Sequence, residues 1–88
     1  MKILQDKLIL ITGAGSGNGE ALAKGLTNYG AEVIATDMDG ASAVQTAESI
    51  ASIGGKSWSY ELDITDLDAC KTVSRAVERE IAPISVLI

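Results

Sequence analysis

The chain has 88 residues, 47% of them apolar, which is enough for one small globular domain. Its formal net charge of −5 argues against nucleic acid or an anionic membrane as a partner. There is no histidine, Cys70 is the single cysteine, and no signal-peptide pattern or membrane-length apolar run occurs; this argues against metal sites and disulfides and favours a reducing cytoplasm.

The first predicted strand covers about residues 8–12 and ends in a glycine-rich turn. Its core is Leu-Ile-Leu-Ile at 8–11, and a continuous apolar run of this length is typical of a strand buried on both faces of a parallel sheet. The turn runs from Thr12 to Gly19 and leads into a helix. The unpaired N–H groups and the positive dipole end of this helix then point at whatever lies above the turn. Such a turn favours an anion, most naturally a phosphate.

The helix after the turn is predicted at about 18–29, and it ends before Gly30, a residue type expected at helix C-termini. Its inward face is predicted to combine an apolar stripe with small residues that allow close packing on the sheet. These residues are Leu22, Leu26, Tyr29, Ala21 and Gly25.

A second strand at about 33–36 ends in Asp37, and a helix follows at about 41–53 with Asp39 as its candidate N-cap. The residues predicted to face inward from this helix are Val44, Ala47 and Ala51. The third strand, at about 56–62, alternates apolar and polar residues, which predicts one buried face and a position at or near a sheet edge. Its apolar residues are Trp58, Tyr60 and Leu62.

A third helix is predicted at about 66–81, opened by Thr65 with Asp68 three residues later as a weak capping box. Its apolar face is predicted to contain Ala69, Val73, Ala76 and Val77. Pro83 prevents continuation of the helix, and a fourth strand begins at about 84–88.

Strands that alternate with helices through short loops predict a parallel sheet with right-handed crossovers. The apolar first strand and the half-polar third strand agree with the spatial order 3-2-1-4. We therefore predict one α/β domain over residues 1–88, a Rossmann-like β-α-β-α-β-α-β unit that corresponds to the first half of a doubly wound fold. In this topology the first two helices cover one face of the sheet and the third covers the other.

The spacing of the glycines narrows the choice of anion site. A strict Gly-x-Gly-x-x-Gly is not met from either Gly13 or Gly15, and no lysine follows as a P-loop requires. What is present is Thr-Gly-x-x-x-Gly-x-Gly on Thr12, Gly13, Gly17 and Gly19. This pattern resembles the cofactor-binding turn of the short-chain dehydrogenases/reductases.

The resemblance implies that the turn binds the pyrophosphate of a dinucleotide. Asn18 stands where this family usually has a branched apolar residue. Because the family uses mainly the backbone N–H at this position, binding should be preserved. The turn residues assigned to the cofactor are Gly13, Gly15, Ser16, Gly17, Asn18 and Gly19.

Asp37 lies about twenty residues beyond the turn, the separation expected for an acidic residue that binds the adenosine ribose. Such a carboxylate accepts hydrogen bonds from the ribose hydroxyls and repels a 2′-phosphate. Ser16 and Met38 are uncharged, whereas NADP-preferring relatives usually carry Arg or Lys at these places, so NAD is favoured over NADP. The alternative is that Asp37 only starts a turn with Asp39 and Gly40.

Asp63 and Ile64 follow the third strand. They are similar to the family segment in which an Asp side chain and the next residue's backbone contact the adenine amino group and ring. The alternative is that Asp63 is a solvated residue in front of a helix cap. Asp66 and Asp68 are interpreted as charges in the first turn of the third helix, favoured by the helix dipole.

The family resemblance implies hydride transfer between NAD(H) and an alcohol or carbonyl substrate, but no catalytic residue can be assigned. The family uses a Tyr-x-x-x-Lys pair with a Ser, and neither Tyr29 nor Tyr60 has a lysine four residues later. We expect the chain to be the nucleotide-binding front part of such an enzyme, inactive by itself, with a substrate only in a complete protein. We also expect self-association through an uncovered fourth strand.

Two other functions fit part of the pattern. Gly13-x-Gly15-x-Gly17 followed by acids at two strand ends also matches class I methyltransferases, but S-adenosylmethionine has no pyrophosphate for Gly19 and the open helix N-terminus to bind. The other alternative is a non-catalytic module that binds an adenine nucleotide, or a partner chain that completes its sheet.

Overall fold

A computed structural model describes residues 3–88, so the first two residues of the lead-in lie outside the described part. The seven predicted elements all occur, in the predicted order. The strands are β1 (Leu8–Ile11), β2 (Glu32–Asp37), β3 (Ser57–Glu61) and β4 (Val86–Leu87), and the helices are α1 (Gly17–Thr27), α2 (Gly40–Ser52) and α3 (Leu67–Glu80). The boundaries differ from the predicted ones by at most two residues, and β4 is shorter than expected.

The four strands form one parallel sheet in the order β3-β2-β1-β4, which confirms the predicted topology. β1 lies between β2 and β4, and all four of its residues are at most 3% exposed. β3 is an edge strand, as predicted, but exposure does not alternate along it: residues 57–60 are all half-buried and Glu61 is exposed.

Side chains that alternate along β1 contribute to two separate cores. Ile9 and Ile11 pack in the core that contains residues of α1 and α2, while Leu8 and Leu10 pack in the core that contains Val73 of α3. Trp58 and Tyr60 of β3 are partly buried against the second core. Two helices on one face and one on the other are the predicted arrangement.

The predicted inward face of α1 is correct at Leu26, which packs against the core, and wrong at the other positions. Leu22 is 38% exposed, and Tyr29 lies beyond the end of the helix and is 50% exposed. The buried residues are Ala23 and Thr27, with Leu26 partly buried. The two residues predicted to allow close packing do not do so: Ala21 is exposed and Gly25 has open space beside it.

The predicted inward face of α2 is correct at Ala47 and wrong at two other positions. Val44 is 42% exposed and Ala51 is exposed, whereas the buried residues of α2 are Ala43, Thr46, Ala47 and Ile50. A threonine lies on the buried face because its hydroxyl finds a backbone acceptor there, described below. Asp39 is confirmed as the N-cap, since its side chain accepts the N–H groups of Ala41 and Ser42.

On α3, Val73 and Val77 are buried, and Ala69 and Ala76 are half-buried, which confirms the predicted face. The predicted capping box at Thr65 is wrong. The N-cap is Asp66, whose side chain accepts the N–H of Ala69 at 3.1 Å. Asp66 is therefore outside the first turn.

The C-terminal end of the sheet carries exposed apolar side chains. Val86 and Leu87 of β4 are 41% and 70% exposed, and Ile88 is 47% exposed. Beside them, between β4 and α3, lies a largely apolar cavity of about 560 Å³ that is bordered by Thr12, Ile64 and other residues. Across residues 3–88, no helix is both long and apolar enough to cross a membrane.

Candidate functional site

The glycine turn between β1 and α1 contains two kinds of glycine. Gly13 and Gly17 have φ values of +65° and +59°, a region that favours glycine because other residues are strained there. Gly19 is required for space: a Cβ at this position would overlap the backbone carbonyl of Gly13. The loop therefore packs against the first turn of α1, and residues other than glycine at these three positions would be strained or would overlap the backbone.

Neighbouring elements hold the buried part of this turn. The N–H of Ala14 donates to the carbonyl of Thr36 in β2, and the hydroxyl of Thr46 in α2 donates to the carbonyl of Ala14, both at 2.9 Å. The Thr36 hydroxyl donates to the carbonyl of Ile11 at 2.9 Å. Sequence reasoning missed the hydrogen bonds of both threonines. The spacing of residues along a helix or strand indicates which side chains face inward, but it does not indicate which backbone carbonyl a buried hydroxyl will meet.

The N-terminus of α1 opens away from these anchors. Its N-cap, Ser16, has extended backbone and makes no side-chain hydrogen bond to the helix. Ser16, Gly17 and Asn18 are exposed. The one acidic residue of the first turn, Glu20, has its carboxylate 2.8 Å from the Lys24 ammonium group. The first-turn N–H groups are thus presented to solvent without a side-chain cap, an arrangement that suits a bound anion.

Asp37, the last residue of β2, meets the glycine turn directly. Its Oδ2 accepts the backbone N–H of Gly15 at 2.9 Å, and its Oδ1 accepts the N–H of Asp39 at 2.9 Å. The contact with Asp39 is the local turn that the alternative interpretation expected. The contact with Gly15, 22 residues away, brings two predicted site residues together. A carboxylate has about four acceptor positions, so both oxygens retain capacity for further donors.

The surroundings of Asp37 are acidic. Met38 is 68% exposed and carries no charge. Asp39 follows it, and Ser42 donates its hydroxyl and N–H to the Asp39 carboxylate, which lowers the pKa of Asp39 below its ordinary value. Glu61 of β3 lies directly opposite Asp37 in the sheet. Sequence reasoning missed Glu61, although its position at the end of the edge strand follows from the predicted topology.

Asp63 lies at the same edge of the sheet, just after Leu62, whose N–H donates to the carbonyl of Asp37 at 2.8 Å. The Asp63 carboxylate accepts the hydroxyl of Thr65 at 2.6 Å and its N–H at 2.9 Å, and these bonds lower the pKa of Asp63. Ile64 is 62% exposed. Asp63 is therefore a negative charge held within its own turn, with Ile64 projecting beside it.

The end of the sheet at which the strands have their carboxyl termini thus combines an open helix N-terminus with two carboxylates that follow neighbouring strands. Among residues 3–88, no three His, Cys, Asp or Glu side chains cluster as metal ligands would.

A family model described as short chain dehydrogenase matches residues 7–88. The chain belongs to the short-chain dehydrogenase family.

Named relatives agree with this membership. The gluconate 5-dehydrogenase of Gluconobacter oxydans is 39% identical over 79 residues, which are 90% of this chain and 31% of that protein. The relatives that the chain matches are longer. The chain spans 13% of an oxidoreductase of Mycobacterium bovis and 33% of the 2,3-dihydro-2,3-dihydroxybenzoate dehydrogenase of Bacillus subtilis.

Solved structures of a dehydrogenase and an oxidoreductase have the same fold. The citronellol catabolism dehydrogenase of Pseudomonas aeruginosa superposes with a TM-score of 0.93 at 29% identity, covering 98% of this chain and 36% of that one. A structure described as a D-mannonate oxidoreductase from Haemophilus influenza with bound NAD gives a TM-score of 0.90 at 32% identity, covering 96% of this chain and 30% of that one.

Proposed function

We propose that this chain is the NAD-binding part of an oxidoreductase that transfers hydride between NAD(H) and an alcohol or carbonyl substrate. The observation that carries the proposal is the placement of the Asp37 carboxylate against the glycine turn, through the 2.9 Å bond from Gly15. Bound NAD would supply the hydride acceptor, and the residues of this chain would bind and orient its adenosine and pyrophosphate. A related structure that contains NAD supports this choice of cofactor.

The glycine turn would hold the pyrophosphate. The N–H groups of Gly17, Asn18 and Gly19 and the dipole of α1 favour two closely spaced negative charges. Gly19 makes room for this approach, because its lack of a side chain lets the first turn of α1 lie against the carbonyl of Gly13. The exposed Asn18 side chain leaves its backbone N–H available, which fits its place in the turn.

Asp37 would accept hydrogen bonds from the ribose hydroxyls. Its charge, with those of Asp39 and Glu61 nearby, would oppose a 2′-phosphate, so we propose NAD rather than NADP. Asp63 and the backbone of Ile64 would contact the adenine, and the ionised state of Asp63 suits a donor such as the adenine amino group.

We further propose that the 88-residue chain does not transfer hydride by itself. Tyr29 and Tyr60 are followed four residues later by Val33 and Ile64, so neither forms the Tyr-x-x-x-Lys pair that the family uses. The substrate would be bound by parts of a longer protein, as the greater length of the relatives suggests.

Calorimetric titration with NAD, NADP, AMP and S-adenosylmethionine tests the proposal. We expect NAD to bind most tightly, AMP more weakly because it lacks the pyrophosphate, and S-adenosylmethionine not at all. Tight binding of S-adenosylmethionine would favour a methyltransferase instead, and equal binding of AMP and NAD would favour an adenine-nucleotide module.

Asp37→Ala tests the residue that carries the proposal. Losing a charged hydrogen-bond acceptor should weaken NAD by roughly 1.5–3 kcal/mol and NADP much less. Asp68→Ala is the matched control, because it removes an exposed carboxylate from the first turn of α3 and should leave both affinities unchanged. Equal losses for NAD and NADP in Asp37→Ala would contradict the assigned role.

A further inference from the structure

Gly15 resembles Gly19 and differs from Gly13 and Gly17, because it needs space and not an unusual backbone conformation. A Cβ at Gly13 or Gly17 would meet nothing within 4 Å, and these residues are glycine because of their positive φ. A Cβ at Gly15 would lie 2.5 Å from the Cβ of Ser42 and 2.9 Å from Oδ2 of Asp37. Contacts this short require one of the neighbours to move.

Neither neighbour of Gly15 can move freely. Ser42 lies in the first turn of α2, and its hydroxyl donates to Oδ2 of the N-cap Asp39 at 2.8 Å. The N–H of Asp39 in turn donates to Oδ1 of Asp37 at 2.9 Å. The cap of α2, the carboxylate of Asp37 and the backbone of Gly15 therefore form one hydrogen-bonded group.

Within this group the carboxylate of Asp37 is held from two sides. The N–H of Gly15 fixes Oδ2, the N–H of Asp39 fixes Oδ1, and the missing side chain of Gly15 leaves the space that the carboxylate occupies. A carboxylate fixed in this way loses less conformational freedom when a ligand binds to it.

We propose that Gly15 is a positioning residue for cofactor selectivity: its N–H and its lack of a Cβ hold the Asp37 carboxylate where it meets the adenosine ribose. This inference rests on the proposed NAD-binding function. A side chain at position 15 displaces the carboxylate and weakens discrimination between NAD and NADP, although Asp37 itself is still present.

Gly15→Ala tests this role, with Gly25→Ala as the matched control because a Cβ at Gly25 meets nothing within 4 Å. We expect Gly15→Ala to weaken NAD by about tenfold or more and to reduce the NAD-to-NADP affinity ratio, while Gly25→Ala changes neither. A turn that is merely distorted weakens both cofactors equally, because they share the same pyrophosphate. An unchanged ratio in Gly15→Ala overturns the inference.

The Asp37→Ala background provides a second comparison. If Gly15 acts on selectivity through Asp37, adding Gly15→Ala to Asp37→Ala leaves the NAD-to-NADP ratio where Asp37→Ala alone put it. A further change in the ratio overturns the inference. Absence of NAD binding by the unaltered chain overturns the proposed function as well, so the two failures are distinguishable.

The contact itself is measurable even if Gly15→Ala fails to fold. In nitrogen–proton correlation spectra, Asp37→Ala removes the acceptor, so the Gly15 amide proton should shift upfield and exchange faster with water. The Gly54 amide, which donates to the carbonyl of Ala51 at 3.0 Å, serves as the internal control. A Gly15 amide that does not respond to Asp37→Ala overturns the inference.

Discussion

The hydroxyl of Thr46 donates a 2.9 Å hydrogen bond to the backbone carbonyl of Ala14, 32 residues earlier in the chain. Thr46 is 1% exposed and Ala14 is fully buried, so water cannot replace this bond. The bond joins α2 to the one buried residue of the glycine turn. It therefore links the second βα unit to the shape of the proposed pyrophosphate site.

Thr46→Val should destabilise the chain and weaken NAD together. The substitution keeps the size and branching of the side chain but leaves the Ala14 carbonyl without its donor, which costs about 1–3 kcal/mol. Urea unfolding measures this cost. Thr72→Val is the control, because Thr72 donates to the Asp68 carbonyl on an exposed helix face and should change stability much less. Equal losses of stability in the two variants would show that the buried Thr46 bond contributes no more to stability than the exposed Thr72 bond.

Gly19→Val should abolish nucleotide binding and lower stability. A branched side chain at this position overlaps the carbonyl of Gly13, so the turn and α1 must separate. Gly25→Val, on the same helix but in open space, is the matched control for the change of residue type. Calorimetry with NAD and thermal unfolding measure the two effects. An unchanged affinity in Gly19→Val would show that the turn does not hold the pyrophosphate.

Acid should destabilise the chain partly through Asp63 and Asp39. Hydrogen bonds from Thr65 and Ser42 lower their pKa values below the ordinary value of 3.8. A carboxyl whose pKa is lower in the folded than in the unfolded state stabilises the fold above the unfolded value. That contribution is lost as the pH falls through the lower folded value.

Thr65→Val tests the contribution of Asp63 to acid sensitivity, because the substitution removes the hydroxyl donor to the Asp63 carboxylate and keeps the backbone donor. Urea midpoints between about pH 6 and about pH 2.5 should fall less steeply with acid in Thr65→Val than in the unaltered chain. The difference should be small because Asp63 is well solvated. Thr65→Ser retains a hydroxyl and should behave like the unaltered chain. A steeper acid loss in Thr65→Val would contradict the role of this bond.

We expect the 88-residue chain to self-associate through the edge at β4. Val86 and Leu87 are exposed there and pair only with β1 among the described strands, and an apolar strand edge favours association. Leu87→Lys should shift the chain towards monomer in sedimentation experiments. Leu67→Lys is the control, because Leu67 is 66% exposed, close to the 70% of Leu87, but belongs to α3 and not to β4. A stable monomer of the unaltered chain would contradict the prediction.

Most of the fold was predictable because local patterns carry it. The apolar run of β1 indicated burial on both faces, and the alternating pattern of β3 indicated an edge. Asp39 was recognisable as an N-cap because capping depends on a short polar side chain beside its own helix. The site residues at the strand ends followed from the topology, since the carboxyl ends of parallel strands meet at one edge.

Helix orientation was less predictable, because periodicity locates an apolar stripe but not the distance between the helix and the sheet. In α1 the residues selected for the buried face are Ala23 and Thr27, with Leu22 exposed, and Gly19 lies against the carbonyl of Gly13 in the preceding turn. In α2 the acceptor at Ala14 selects Thr46. Both selections depend on residues from another element.

The sequence alone therefore determined the order of the elements, the parallel sheet and the glycine turn with its two acidic strand ends, because local patterns identify each element and alternating strands and helices imply parallel pairing. Tertiary structure decided which atoms meet. The bond from Gly15 to Asp37 joins residues 22 apart, and the bond from Thr46 to Ala14 joins residues 32 apart. No local pattern specifies such pairs, because they arise only when β2 and α2 pack against the turn and bring its backbone within hydrogen-bonding distance.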